Sequence, residues 1–199
     1  MEFHIDEESI QGEYNRLAEA LLLQKELVVN NARFNFTEIE FYYYCEIHQD
    51  AFTHEHNELA GNWRFHNQGF DITLRGDSGF GGILIRGVEY GNEFINGPRR
   101  VLFKIMNYLN QVHDLDNQFG IVNKPKEDST IFKTFRHGLK TPNLNLPCDS
   151  PDYYRTASYR FIIKPQSFDR KQFEGSEKIA KGFKDKNLSE EFLGYHLSI

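Results

Sequence analysis

The sequence predicts one α+β domain, built from a mixed, largely antiparallel and curved sheet with helices at its periphery. Strand and helix patterns do not alternate regularly along the chain, which argues against a doubly wound parallel sheet. One long segment, residues 33–48, alternates at every second position and predicts a strand with two distinct faces. The length of 199 residues suits a single core, which we place at residues 1–165, followed by a helical tail at residues 166–199.

The charge and composition limit the classes of protein to consider. The 29 acidic residues outnumber the 23 lysines and arginines and give a net charge of −6, whereas proteins dedicated to duplex DNA are usually basic. Cys45 and Cys148 lie far apart and predict neither a disulfide scaffold nor a cysteine-rich zinc site. No apolar run approaches the roughly 18 residues that a membrane span requires, and the acidic residues 1–8 are unlike a targeting peptide. We therefore expect a cytoplasmic protein that does not associate with membranes.

Turn signals and short periodic runs predict the individual elements. Residues 6–24 carry apolar side chains at helical spacing, with Asp6 as the N-cap of the helix. In chain order, the other elements are a strand at 26–30, a turn at 30–31, the strand at 33–48, a loop at 49–61, a hairpin at 62–75, a strand at 83–90, a helix that begins at Gly97-Pro98, a mostly irregular connection at 113–152, a strand at 159–163 and a tail helix capped by Ser189.

The strand at 33–48 places two carboxylates on one face. Glu38 and Glu40 are two positions apart and share that face with Tyr42, while Ile39 and Phe41 fall on the other face. A carboxylate beside aromatic rings can activate water next to a planar ligand. The same pattern is also typical of an antiparallel sheet with one solvated face. The spacing is compatible with both interpretations.

Arg86 lies within an apolar strand, so its charge requires a carboxylate partner or a cleft. Glu38 and Glu89 are candidate partners in a buried ion pair. Alternatively, Arg86 keeps a catalytic carboxylate ionised or orients an attacking water. Either interpretation predicts that Arg86 is close to an acidic side chain.

A histidine-rich loop offers a second kind of chemistry. His48, Asp50, His54 and His56 are spaced as in a metal-ligand cluster, and His66 follows nearby. Such side chains suit zinc or iron(II), but they are also typical of solvated loops and of contacts with a nucleobase. Because nothing in the spacing fixes a coordination geometry, we expect no bound metal.

Six short segments of the chain follow one another in a recognisable order. They are residues 18–29 (Ala-Glu-Ala-Leu-Leu-Leu-Gln-Lys-Glu-Leu-Val-Val), 36–42 (Phe-Thr-Glu-Ile-Glu-Phe-Tyr), 50–54 (Asp-Ala-Phe-Thr-His), 83–89 (Ile-Leu-Ile-Arg-Gly-Val-Glu), 97–98 (Gly-Pro) and 159–161 (Tyr-Arg-Phe). This series resembles the alkylpurine (3-methyladenine) DNA glycosylases of the mammalian type. The resemblance spans residues 18–163 and implies the fold of that family, a curved sheet with peripheral helices.

The resemblance also implies roles for particular residues. Glu40 would be the general base that deprotonates a water attacking the sugar C1′, and Arg86 would help to hold that water and the carboxylate. Tyr42 and His54 would sandwich the flipped base by stacking and hydrogen bonding. Asp71 stands where the family has a base-selecting asparagine. The resemblance implies neither a metal nor a cofactor.

In that family a tyrosine on the hairpin fills the gap left by the flipped base. The corresponding hairpin here, residues 61–71, is shorter and lacks this tyrosine. Trp63 or Phe65 could take the role of the wedge, although packing into the strand core is the alternative for both. Glu38 and His66 complete the secondary candidates for the site.

These observations lead to a base-releasing N-glycoside hydrolase that resembles 3-methyladenine DNA glycosylase. Its expected partner is damaged or single-stranded DNA, or a free nucleoside or nucleotide. Two alternatives stay open, since fold alone does not determine function. One is a non-catalytic module that binds a nucleotide or base, and the other is a metal-dependent hydrolase that uses His48, Asp50, His54 and His56.

Overall fold

A curled antiparallel sheet with helices around it forms the domain. The computed structural model describes residues 1–111, 113, 115–139, 141–168 and 186–193. Within these residues, ten strands curl into a half-barrel and four α-helices accompany them. The predicted α+β fold class is therefore confirmed. No helix in this part of the chain is long and apolar enough to cross a membrane.

The elements have the following bounds. The strands are β1 (Lys25–Val29), β2 (Ala32–Cys45), β3 (His48–Gln49), β4 (Trp63–His66), β5 (Gly69–Arg75), β6 (Phe80–Tyr90), β7 (Glu93–Asn96), β8 (Phe119–Asn123), β9 (Phe132–Thr134) and β10 (Arg160–Ile162). The helices are α1 (Ile10–Glu19), α2 (Pro98–Met106), α3 (Pro151–Thr156) and α4 (Lys186–Leu193). Two 3₁₀ turns (Glu7–Ser9 and Pro165–Ser167) and a π-helical turn (Ala20–Gln24) complete the set.

Strand β2 is the centre of the sheet. The strands of the sheet lie in the order β4-β5-β6-β2-β1-β8. In addition, β10 pairs with β2 on one side and with β9 on the other. Every pairing between these strands is antiparallel. Glu40 lies opposite Leu84 on β6 and opposite Arg160 on β10. The register therefore places this carboxylate in the middle of the sheet, flanked by strands on both sides.

The two faces of β2 have the predicted alternation. Ile39 and Phe41 are fully buried, and the Tyr14 ring of α1 stacks on Phe41 with centroids 4.4 Å apart. On the opposite face, Glu38 and Glu40 are also buried, with exposed fractions of 1% and 0%. The alternative interpretation of that face as solvated is wrong for both glutamates. Two buried carboxylates need partners, and these partners define the candidate site.

The local signals at helix ends and turns are confirmed. The Asp6 carboxylate accepts a hydrogen bond from the Glu8 backbone N–H at 3.0 Å, so it caps the first turn as predicted. The hairpin of β4 and β5 turns at residues 67–68. Gly97 has a φ of +94°, a left-handed conformation that glycine adopts without strain, and Pro98 begins α2 directly after it.

Two predictions about secondary structure are wrong, and a third extends beyond the described residues. The described part of the connection at 113–152 is mostly irregular, as predicted, but it also contains the short strands β8 and β9 and the start of α3. Ser189 lies inside α4 and is buried, so it is not the cap of that helix. The strand predicted at 33–48 ends earlier, at Cys45, and Ile47 beyond it is 72% exposed. Most of the predicted tail, including residues 169–185, lies outside the described residues.

Candidate functional site

A cavity of about 570 Å³ opens on the face of the sheet that does not contact α1. The side chains at its wall alternate with those of the core: on β6, Leu84 and Arg86 line the cavity, while Ile83 and Ile85 are fully buried. The other lining residues come from β2, the hairpin of β4 and β5, the start of α2, the loop at 52–56, and residues 137–139 and 141. Strand periodicity therefore determines which residues reach the cavity.

Most residues proposed from the sequence meet at this cavity. Tyr42, His54, Asp71 and Arg86 all line it. His66, a secondary candidate, lines it as well. They come from four strands and one loop, so their convergence is a property of the fold and not of local spacing.

Glu40 lies directly behind the cavity wall. Its Oε2 atom accepts a hydrogen bond from the Tyr42 hydroxyl at 2.8 Å, and its Oε1 atom accepts one from the His137 backbone N–H at 2.8 Å. The Arg86 guanidinium approaches both oxygens at 3.4 Å. The three donors belong to residues that line the cavity. Glu40 is thus fully buried, and its hydrogen-bond partners, not Glu40 itself, line the cavity.

Glu38 anchors Arg86 from the other side. The Glu38 Oε1 atom accepts hydrogen bonds from Arg86 Nε and Arg160 Nε, each at 2.8 Å, and Asn96 Nδ2 donates to Oε2 at 3.1 Å. Burial alone would raise the pKa of Glu38, but the guanidiniums of Arg160 and Arg86 outweigh it and lower that pKa to about 2. The ion pair predicted for Arg86 is confirmed, and it involves both Glu38 and Glu40.

We expect the stability of the protein to fall in acid because of Glu38. Its folded pKa of about 2 lies below the ordinary 4.5, so the carboxylate stabilises the fold above pH 4.5 and loses this effect as the pH falls towards 2. The full effect is on the order of 3 kcal/mol. Urea unfolding at pH 7 and pH 3 should show a smaller loss for Glu38→Gln than for the wild type. Glu93→Gln, at an exposed ion pair, is the control, and equal losses in all three proteins would contradict this expectation.

Arg136 is a site residue that the sequence analysis missed. Its guanidinium lies 4.4 Å from the centre of the Tyr42 ring and forms a bidentate pair with Asp50, at 2.6 and 3.0 Å. Both charged side chains are fully buried. Burial and the Glu40 carboxylate raise the pKa of Tyr42 well above its ordinary value, so the hydroxyl stays neutral and donates to Glu40. Arg136 thus supports the Tyr42 ring by a cation–π contact from the core side.

The histidine-rich loop does not converge on one point. His48 Nδ1 lies 2.8 Å from the Tyr43 carbonyl oxygen, and Asp50 pairs with Arg136. His56 Nε2 lies 2.7 Å from the carbonyl oxygen of Gly81. His54, like His56, lines the cavity. Among the described residues, no group of three or more histidine, cysteine or acidic side chains is arranged to hold a metal ion.

The two wedge candidates do not line the cavity. Trp63 packs edge-on against Phe119 with ring centroids 4.9 Å apart, and Phe65 stacks on Phe70 at 5.7 Å. Their neighbours on β4, Arg64 and His66, occupy the cavity face instead, as strand alternation requires. Trp63 therefore takes its alternative role and packs against the core, whereas Phe65 stacks on Phe70 but stays 51% exposed.

Asp71 contributes the carboxylate at the hairpin side of the cavity. Its oxygens lie 3.3 Å from His66 Nε2 and 3.8 Å from Arg64 Nη1. His54 faces the same side, and burial together with the Arg64 charge lowers its pKa. A neutral imidazole can both donate and accept a hydrogen bond. This side of the cavity therefore presents donors and acceptors to a polar planar ligand.

Comparison of the chain with protein-family models and with curated protein sequences gives no match. The function must therefore be inferred from the cavity itself. Its distinguishing features are the buried Glu40, the guanidinium of Arg86 between two carboxylates, and the aromatic ring of Tyr42.

Proposed function

We propose that the protein hydrolyses an N-glycosidic bond and releases a base, with Glu40 as the general base. The observation that carries this proposal is the position of Glu40, which accepts hydrogen bonds behind a wall formed by Tyr42 and Arg86. The Arg86 guanidinium and the His137 N–H both contact the carboxylate. A carboxylate in this position can accept a proton from water and stabilise positive charge on the sugar.

The proposed step uses one water molecule. Its oxygen forms the new bond to the anomeric carbon, and its proton passes to Glu40. The bond between the anomeric carbon and the base nitrogen breaks, and the electron pair leaves with the base. For this to happen, the water replaces the Tyr42 hydroxyl at Glu40 Oε2, while Oε1 keeps its bond from the His137 N–H.

The remaining cavity residues suit a planar base. The Tyr42 ring offers one face to the cavity, since Arg136 already occupies the other. His54 and Asp71 supply hydrogen bonding to the edge of the base. A stacked aromatic contact is worth about 1–3 kcal/mol per base in nucleic-acid binding proteins. The scheme needs neither a lysine nucleophile nor a cofactor, so it does not include cleavage of a DNA strand.

We expect base release to favour single-stranded or monomeric substrates over duplex DNA. Extruding a base from a duplex costs a few kcal/mol, and neither Trp63 nor Phe65 lines the cavity into which the base would move. The net charge of −6 also disfavours a duplex. The assay compares release of an alkylated adenine from a duplex, a single strand and a nucleotide, with duplex binding followed by fluorescence anisotropy against salt. Tight, salt-sensitive duplex binding together with preferred duplex excision would show that this expectation is wrong.

A second function is favoured by one observation. Both oxygens of Glu40 already accept hydrogen bonds, from Tyr42 and His137, and the side chain is fully buried. A carboxylate satisfied in this way can also be purely structural, which would make the cavity a non-catalytic site for a nucleotide or base. Binding of these ligands without release of base from any of the three substrates would support this function over hydrolysis.

A further inference from the structure

The cavity is lined by more positively than negatively charged side chains, although the chain as a whole is acidic. Four of its described lining residues are arginines, whereas Asp71 is the one acidic residue among them. Arg86 is compensated by Glu38 and Glu40 behind the wall, which leaves Arg64, Arg99 and Arg100 to set the charge of the cavity. The complete chain has a net charge of −6, so this excess is local. Like charges that meet at a cavity repel one another, and an anionic ligand relieves this repulsion.

Arg99 and Arg100 are the two arginines of this cavity that have no partner among the described residues. Both are exposed, and within the part of the chain that the structure describes, neither forms a hydrogen bond or an ion pair. Arg64 forms only two long ion pairs, at 3.7 Å from Glu58 and 3.8 Å from Asp71. The guanidiniums of Arg99 and Arg100 are therefore available to a ligand, and that of Arg64 is available in part because its ion pairs are long.

The position of these two arginines is unfavourable for the protein alone. They occupy the first turn of α2, which contains no acidic residue, and positive charge at the amino end of a helix opposes the helix dipole. Within the described chain, no side chain compensates for this arrangement. An anion held between Arg99 and Arg100 would compensate for it.

We propose that the cavity binds the phosphate group of its substrate through Arg99 and Arg100. Guanidiniums pair with phosphate through two parallel hydrogen bonds, which makes arginine well suited to this anion. The volume of about 570 Å³ lies within the range of sites for single small molecules. The inference rests on the proposed hydrolase function for the base and sugar, and it extends that function from a nucleoside to a substrate that carries a phosphate.

The two ends of the cavity suit the two ends of such a substrate. Tyr42 and Arg86 lie at the floor, on the central strands and next to Glu40, whereas the exposed Arg99 and Arg100 lie at the rim. The base and the bond to be broken would therefore be enclosed, and the phosphate would stay partly solvated. This arrangement spares the strongly hydrated phosphate the large penalty of full burial.

The test measures binding and does not depend on turnover. Calorimetric titrations compare 2′-deoxyadenosine, its 5′-monophosphate and inorganic phosphate, using the wild type, the double variant Arg99→Gln/Arg100→Gln, and a control with matched charge. The control, Lys104→Gln/Lys126→Gln, removes two positive charges from exposed ion pairs with Glu93 and Glu19. All four substituted side chains are at the surface or in surface ion pairs, so both double variants should fold.

We expect the wild type to bind the monophosphate at least about tenfold more tightly than the nucleoside, and inorganic phosphate to compete. The Arg99/Arg100 double variant should lose about 10- to 100-fold in affinity for the monophosphate and keep its affinity for the nucleoside, whereas the control should resemble the wild type. Equal affinity for nucleoside and monophosphate, equal behaviour of the two double variants, or no binding of either phosphate compound would overturn the proposal.

A single-stranded trinucleotide distinguishes the two sources of the phosphate. Tighter binding of the trinucleotide than of the monophosphate assigns the site to a nucleic-acid backbone, and the reverse order assigns it to a free nucleotide. Both results support a phosphate site at Arg99 and Arg100, provided that the double variant removes the preference. If phosphate-dependent binding holds but no base is released from any substrate, the hydrolase function is refuted and the phosphate site stands.

Discussion

Glu40→Gln should abolish base release, lowering kcat by about 10²- to 10⁴-fold, because a neutral amide cannot accept the proton of the attacking water. The amide keeps the shape of the side chain, and Arg86 retains its shorter hydrogen bond to Glu38 at 2.8 Å. We therefore expect a loss of stability of only about 1–3 kcal/mol, from the weakened hydrogen bonds to Glu40. The measurement is single-turnover release of the base, at a temperature where circular dichroism shows the variant to be folded.

Tyr42→Phe is the matched control for this substitution. It removes the hydroxyl that donates to Glu40 Oε2 and keeps the aromatic ring at the cavity. Since the proposed water replaces that hydroxyl, the variant should retain activity within about tenfold of the wild type, far above Glu40→Gln. A folded Glu40→Gln variant with full activity would rule out Glu40 as the base and leave the cavity as a binding site.

Arg136→Met should cause the largest loss of stability, about 3–5 kcal/mol, because it leaves the charge of Asp50 buried without its partner. In a protein of this size, the loss corresponds to a fall in Tm of roughly 6–20 °C. The substitution also removes the cation–π contact beneath the Tyr42 ring. The free energy of unfolding is measured by urea titration at neutral pH.

Two further variants identify the origin of that loss. Arg33→Met disrupts an ion pair with Glu26 in which the arginine is 64% exposed, and it should change the stability by less than about 1 kcal/mol. Asp50→Leu combined with Arg136→Met removes both buried charges and should recover part of the stability lost in the single variant. If Arg136→Met is as stable as the wild type, the Asp50–Arg136 pair does not contribute to folding as the structure indicates.

Strand periodicity made much of the fold and part of the site predictable. The alternation around Ile39 and Phe41 identified β2 and its core face, and the apolar run around Arg86 identified β6. Because β2 and β6 are adjacent, the proximity of Arg86 to Glu38 and Glu40 follows from these two assignments. Alternation also predicted that both carboxylates share a face, but it could not show that this face is covered.

The residues that cover this face of β2 come from parts of the chain without a periodic sequence pattern. His137 and Arg136 lie in a segment without helix or strand structure. His137 reaches Glu40 through one backbone hydrogen bond, and Arg136 reaches Asp50 through a bidentate ion pair. Nothing near these residues in the sequence indicates their partners. Arg99 and Arg100 were overlooked for a different reason. Their sequence context identifies a helix start, whereas their significance depends on the cavity beside it.

The candidate site depends on contacts between residues that are far apart in the sequence. This separation affects the order in which the domain folds during its synthesis. The bond from the His137 N–H to Glu40 spans 97 residues, and the bond from Arg160 to Glu38 spans 122. On the ribosome, where chains emerge amino end first, both carboxylates leave the exit tunnel long before these partners exist. Contacts so distant in sequence form slowly, since the intervening chain must first lose its conformational freedom. We therefore expect the ligand cavity to be completed only after synthesis of β10, which makes it one of the last parts of the nascent domain to become ordered.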